Sequence, residues 1–480
     1  MLFNSIDFAV FLPIVFVLYW FVTQRNLRVQ NALVALSSYF FYGWWDWRFL
    51  SLILFSTAVD YTIGILLQKE KLYSKRKILL WISIAVNLGF LGFFKYYNFF
   101  LDNFVSAFSF FGKEINSSSL NIILPVGISF YTFQTLSYTI DVYRKNLEPT
   151  RDFIAFAAFV SFFPQLVAGP IERATNLLPQ FYKKRKFDYS AAVDGLRQIL
   201  WGLFKKIVIA DNCAEYANLI FNGSEDYSGS TLVLGALFFT FQIYGDFSGY
   251  SDIAIGTSRL FGFNLMKNFA FPYFSRDIAE FWRRWHISLS TWFRDYLYIP
   301  LGGSRGGKWM KVRNTFVIFV VSGFWHGANW TFIIWGFLNA LYFLPLLLLN
   351  RNRQNLDGIA QNRILPGIRE SIKILTTFLL TVLAWIFFRA ENVSHAFSYL
   401  AGIFNSSLVS EPEVFPIMVI SLIMVFVAVE WLQRNKEHGL EISQNRLMRS
   451  RPFRWALYSG IIIAIFAFGG SQQQFIYFQF

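Results

Sequence analysis

Phe316-Val-Ile-Phe-Val-Val-Ser-Gly-Phe-Trp325-His326-Gly-Ala-Asn-Trp-Thr-Phe-Ile-Ile-Trp335 is the stretch that decides the fold, and it runs on into aliphatic sequence ending at Leu349. No Lys, Arg, Asp or Glu occurs between Arg313 and Arg351. A helix crosses the roughly 30 Å of a bilayer's hydrocarbon core with about 20 apolar residues. This run is longer than one crossing and has basic residues at both ends, so it is expected to turn within or across the membrane near Gly327-Ala-Asn329. His326 then lies near the turn, at depth, where an ionisable side chain is costly and marks a candidate functional site.

The rest of the chain has the same character. Of its 480 residues, 55% are hydrophobic and 20% aromatic, far from a soluble globular composition. Apolar runs recur along the whole length, and hydropathy suggests roughly ten to twelve spans. The predicted fold class is therefore an all-α, polytopic transmembrane protein with additional re-entrant and interfacial helices. Ile6 to Val22 lacks the basic leader and small-residue cleavage site of a signal peptide and is read as a retained span. With no internal repeat and no low-complexity linker, residues 1–470 read as one transmembrane domain, followed by an aromatic C-terminal motif at 471–480. Cys213 is the only cysteine, which excludes an intrachain disulfide and a cysteine-based metal cluster.

The formal charge of +14 comes from 43 basic against 29 acidic residues. Nucleic acid is not the expected partner, because the basic clusters alternate with spans, as cytoplasmic loops do. They fall at Lys69 to Lys77, Lys183 to Lys186, Arg259 to Arg313, Arg351 to Lys373 and Arg434 to Arg454. The intervening loops Gly112 to Ser119, Asn222 to Ser230 and Asn405 to Glu413 are nearly free of Lys and Arg and are expected outside, together with both termini. Phe153 to Gly169 lies between two basic regions and reads as a re-entrant hairpin, tolerated where protein rather than lipid surrounds it. The cytoplasmic segment from Thr257 to Arg313 is aromatic as well as basic. Phe281-Trp-Arg-Arg-Trp285 and Trp292 to Tyr298 suggest amphipathic helices at the interface, with their rings at headgroup level or dipping into the protein.

Several chemistries fail on spacing. The histidines His286, His326, His395 and His438 form no pair at metal-binding separation, so no metal site is expected. Gly302-Gly-Ser-Arg-Gly-Gly-Lys308 fits a phosphate loop but continues with Trp309 where a magnesium-binding Ser or Thr is needed, leaving a surface turn or an anion contact. What survives is histidine as a base. Burial disfavours the imidazolium, so His326 is expected to be neutral and able to accept a hydroxyl proton. Asn329 is a candidate to orient the ring or donate to an oxyanion, or else a backbone cap at the turn. His286, with Arg283, Arg284 and Arg294, reads equally as an entrance for an anionic cofactor or as a headgroup-binding helix. Asp246 and Asp252, six residues apart in one span, point to different faces and read as hydrogen-bond anchors for Ser, Tyr and Arg side chains nearby. The Tyr477 hydroxyl in the aromatic terminus is a possible acyl carrier if a base removes its proton.

Four ordered motifs carry a resemblance: Tyr244-Gly-Asp-Phe-Ser-Gly-Tyr-Ser-Asp252, Phe281-Trp-Arg-Arg-Trp-His286, Tyr298-Ile-Pro-Leu-Gly-Gly-Ser-Arg305 and Trp325-His326-Gly-Ala-Asn-Trp330. Together they resemble the membrane-bound O-acyltransferase family, in its bacterial alginate O-acetyltransferase-like and D-alanyl-transfer-like branch. The resemblance implies a ring of tilted helices around a thin core, with a cytoplasmic funnel leading to a buried histidine. It places the family's membrane histidine at His326, its second functional histidine at His286 and the relay position of its terminal motif at Tyr477. Arg283, Arg284 and Arg305 become candidates for the donor entrance. Implied too are acetyl-CoA as donor with no bound cofactor, an exported polysaccharide as acceptor, an extracytoplasmic partner protein that passes the acyl group on, and a bacterial inner-membrane location. D-alanyl transfer to teichoic acid and a non-catalytic export component are the alternatives.

Overall fold

A computed structural model describes residues 1–110, 119–167, 169–361, 363–442, 450–470 and 473–478. Among these every regular element is helical and none is a strand. Residues 112–118 of the first predicted outside loop, and 471–472 and 479–480 of the terminal motif, lie outside them. The chain forms two compact units, Met1–Ala192 with Thr257–Met266, and Val193–Gly256 with Lys267–Phe480.

The first unit contains α1 (Ile6–Val17), α2 (Leu27–Gly43), α3 (Leu50–Lys69), α4 (Tyr73–Leu91), α5 (Tyr97–Phe110), α6 (Ile128–Tyr143), α7 (Phe153–Ser161), α8 (Phe163–Leu166) and α9 (Ala174–Leu177). Its helices are joined by polar groups that have no water to turn to. Asp60 of α3 is fully buried and accepts from Asn87 Nδ2 of α4 at 2.8 Å and Thr139 Oγ1 of α6 at 2.8 Å, and also from Ser83 of α4. The segment read as a re-entrant hairpin is a helix broken at Phe162, with Pro164 at the start of α8. Its side chains are buried almost without exception, which is what permits a broken backbone here.

The second unit begins within α10 (Tyr189–Leu203), continues through a π-helical stretch at Phe204–Ala210, and includes α11 (Asp211–Asn222) and most of α12 (Gly229–Leu260). It then holds α13 (Ile278–Arg284), α14 (Ile287–Phe293), α15 (Lys308–His326), α16 (Trp330–Leu348), α17 (Ile368–Arg389), α18 (Val393–Ile403), α19 (Ile417–Leu432) and α20 (Arg451–Ala467). Helices α15 and α16 form the expected antiparallel hairpin, turning at residues 327–329. Helices α10 and α12 cross at glycine: a β-carbon on Gly202 would sit 2.6 Å from Gly249 O, and one on Gly249 would sit 2.8 Å from Gly202 O. Larger residues would force the two backbones apart.

Among the described residues, five helices are long and apolar enough to cross a membrane: Trp47–Lys69, Tyr73–Phe110, Gly229–Leu260, Trp330–Leu348 and Ile368–Arg389. Shorter apolar helices lie at Ile6–Val22, Phe153–Leu166 and Ile417–Leu432. The five long helices are fewer than the roughly ten to twelve spans suggested by hydropathy. The chain is an all-α polytopic membrane protein. Of the two settings open to the aromatic segment, its rings take the one inside the protein. Phe281, Trp285, Trp292 and Phe293 are buried, and Trp285 packs on Trp385 of α17 at 5.0 Å between ring centroids. Rings of this size gain more from a protein core than from a headgroup layer once partners of matching shape are present.

Candidate functional site

The C-terminal tail brings the two histidines into one site. Residues Ile476–Phe478 form a single 3₁₀ turn, and the Tyr477 ring lies 5.7 Å from the His326 ring and 6.4 Å from the His286 ring, centroid to centroid. Phe247 of α12 packs against both Tyr477, tilted at 4.4 Å, and His286, edge-on at 4.6 Å. Trp325, Trp335 and Phe388 surround His326 at 5.0, 5.1 and 5.3 Å. Both histidines are buried. Burial pushes the His286 imidazole down to about 3, so it is neutral across the physiological range, and raises the Tyr477 phenol well above its ordinary value. A base beside this phenol is therefore a chemical requirement if it is to act as a nucleophile.

Charged groups hold the tail in place. Lys206 Nζ lies 2.8 Å from Asp246 Oδ1 and 2.7 Å from Asp211 Oδ1, and it donates to the Gln473 carbonyl at 3.1 Å. Asp246 Oδ2 accepts from the Ile476 backbone N–H at 2.7 Å. Phe475 packs on Tyr250 at 4.2 Å. One helical turn and a half further along α12, Asp252 pairs with Lys205 at 2.6 Å and accepts from Gln198 at 2.8 Å. The two aspartates are anchors, as expected, but their partners are lysines rather than the Ser, Tyr and Arg groups suggested by the sequence. The signal was present in Leu203-Phe-Lys-Lys-Ile-Val-Ile209, a basic pair inside an apolar run that needs buried counter-charges.

A cavity of about 540 Å³ extends along the inner face of α15 and α16. Arg283, Arg294 and Arg353 line it together with Trp282, Phe319 and Ser322. Ser322 is one helical turn before His326, on the same face of α15. Among the sequence candidates for the entrance, Arg283 lines the cavity while its guanidinium donates to the carbonyls of Asn352 and Asn355 at 2.9 and 2.7 Å. Arg284 does not line it; it is bound to Glu280 at 2.9 Å and to the Ala270 carbonyl. Arg305 is exposed beside Ser304, which does line the cavity. Arg353 was not singled out in the sequence, although it belongs to a basic cluster noted there.

Asn329 sits in extended backbone rather than in a helical turn, with φ −147° and ψ 147°. Its Oδ1 accepts from the Thr331 N–H at 3.0 Å, and its Nδ2 donates to the Glu391 carbonyl at 2.8 Å. Both ends of the amide are thus engaged in capping α16 and fastening the turn. The glycine-rich stretch before α15 is a series of turns, with Gly302 and Gly303 at positive φ and no strand leading into it. No group of three metal-ligating side chains occurs among the described residues.

The tail thus sets the Tyr477 ring beside two buried histidines, and the lining of an arginine-bearing cavity includes Ser322, one helical turn before His326. The profile of the membrane-bound O-acyltransferase family matches residues 147–388, half of the chain, and the chain belongs to that family. It is an O-acyltransferase of the membrane. It is 37% identical to the probable alginate O-acetylase AlgI of Pseudomonas putida, over 100% of both chains. With the peptidoglycan O-acetyltransferase of Helicobacter pylori it shares 32% identity over 100% of this chain and 98% of that protein. The teichoic acid D-alanyltransferase of Bacillus subtilis is 30% identical over 46% of this chain and 58% of its own length.

Proposed function

We propose that this protein transfers an acetyl group from cytoplasmic acetyl-CoA across the membrane for O-acetylation of an exported polysaccharide. The observation that carries this reading is the Tyr477 ring packed beside both His326 and His286, with an arginine-lined cavity that reaches Ser322, one helical turn before His326. The cavity volume falls in the range of small-molecule sites, and its arginines suit a phosphorylated donor. His326 removes a proton from the accepting hydroxyl, whose oxygen attacks the thioester carbonyl. A C–O bond forms, the C–S bond breaks, and the proton passes to the departing thiolate. Tyr477 is the hydroxyl best placed to accept first, and a second transfer from it to an extracytoplasmic partner would carry the group onward. In this reading both termini face outward and the basic loops inward.

Acetylation of a polysaccharide is favoured over D-alanyl transfer by the full-length similarity to the two O-acetyl-transferring relatives, against partial coverage of the D-alanyltransferase. The test offers purified protein either labelled acetyl-CoA or carrier-bound D-alanine. Label transfer from acetyl-CoA alone is expected. Use of the D-alanyl donor alone would replace this proposal with the teichoic acid reading.

A further inference from the structure

His286 differs from its neighbours in backbone as well as in setting. It caps α14 with φ 43° and ψ 54°, the left-handed region that residues with a β-carbon avoid. Such a conformation persists only where surrounding contacts hold it. Asn268 supplies them. Its carbonyl oxygen accepts from the Ile287 N–H at 2.9 Å, and its side-chain Oδ1 lies 2.8 Å from Ser288 Oγ, 3.3 Å from the Ser288 N–H and 3.1 Å from His286 Nδ1. The Asn268 Nδ2 donates to Ser251 Oγ at 3.0 Å.

These contacts assign the imidazole proton. A backbone N–H can only donate, so the Asn268 atom facing Ser288 is the oxygen, and that oxygen can only accept. His286 Nδ1 must therefore carry its hydrogen, and in the neutral ring Nε2 keeps its lone pair. Nε2 is buried and has no hydrogen-bond partner among the described residues. The ring is enclosed by Phe247, Trp325 and Tyr477, none of which competes for the lone pair as a charged donor would.

We propose that Asn268 is a positioning residue of the acyl-transfer site: it locks His286 in the Nδ1–H tautomer and so leaves Nε2 as a second proton acceptor for a reacting hydroxyl. The proposal rests on the reading that His286, His326 and Tyr477 form that site. In the step it serves, a hydroxyl proton moves to His286 Nε2 as the oxygen bonds to the thioester carbonyl, the C–S bond breaks, and the proton passes to the departing thiolate. Asn268 touches no reacting atom.

The chain has four histidines, so labelling them with ¹⁵N gives a readable spectrum, and His286→Gln identifies the His286 signals by their loss. In the full-length wild-type protein His286 is expected to show a protonated Nδ1 and an unprotonated Nε2. Asn268→Leu is expected to scramble that pattern and to lower the kcat for thiol release from acetyl-CoA by about 100-fold, since the wrong tautomer of a catalytic histidine costs up to roughly 10⁴. The donor KM should stay within about twofold, because a base acts in the chemical step. Asn268→Asp, which keeps the acceptor oxygen, is expected to restore both tautomer and rate. A wild-type Nε2–H tautomer overturns the proposal. So does full activity of Asn268→Leu alongside an inactive His286→Gln, which leaves the site reading standing. Full activity of His286→Gln defeats the site reading, and the proposal with it.

Discussion

His326 and His286 reach the same site from opposite kinds of sequence. His326 ends a long apolar helix and is enclosed by Trp325, Trp335 and Phe388, so its placement follows from the hydrophobicity of the span that carries it. His286 comes from a charged and aromatic stretch, yet it is equally buried and is held by one asparagine in a strained backbone. Depth is cheap for the first and built for the second. A histidine delivered by a span needs only a turn beside it, whereas one delivered by a polar segment needs its flanking charges neutralised, as Glu280 does for Arg276 and Arg284.

This contrast can be broken in order of effect. His326→Ala is expected to lower acyl transfer by about 10³-fold or more, the upper range for a positioned base, in a thiol-release assay on purified protein. Tyr477→Phe keeps the ring packing on Phe247 and removes only the hydroxyl; it is expected to block transfer to the final acceptor while the protein remains as stable as wild type. Mass spectrometry of the tail peptide during turnover should find the acetyl group on Tyr477 and find none in the Phe variant. For His286→Ala a smaller loss, about 10²-fold, is expected, and the gap between the two histidine variants measures which base dominates.

Two further substitutions act on the supports. Lys206→Met leaves Asp246 and Asp211 without their counter-charge and releases the Gln473 carbonyl. Breaking a buried pair in this way costs about 3–5 kcal/mol, read as a lower unfolding temperature and faster proteolysis of the tail. Asn329→Ala removes a helix cap and is expected to cost about 1 kcal/mol of stability with little change in rate, measured by thermal unfolding and thiol release.

The all-α membrane fold was legible because an apolar run has few alternatives to a helix in lipid. The α15 and α16 hairpin was legible for the same reason, since basic residues at both ends of one long run require a turn. The aromatic segment left two readings open, because Phe281-Trp-Arg-Arg-Trp285 has the same composition whether its rings meet headgroups or Trp385. The convergence of Tyr477 on both histidines was not legible from the residues themselves. A tail returning over more than a hundred positions leaves no periodicity, so the phenol could be named as a possible acyl carrier but not set beside particular histidines. Asp246 was visible, but the lysine that makes it a tail anchor lies forty residues earlier on another helix.

The central claim, that His326 is the base that activates the accepting hydroxyl, meets its most direct test in cells. O-acetyl content of the exported polysaccharide is measured in strains carrying wild type or His326→Ala, with membrane abundance of each protein matched. Loss of O-acetylation at normal abundance is the expected result. Undiminished O-acetylation by His326→Ala would contradict the account.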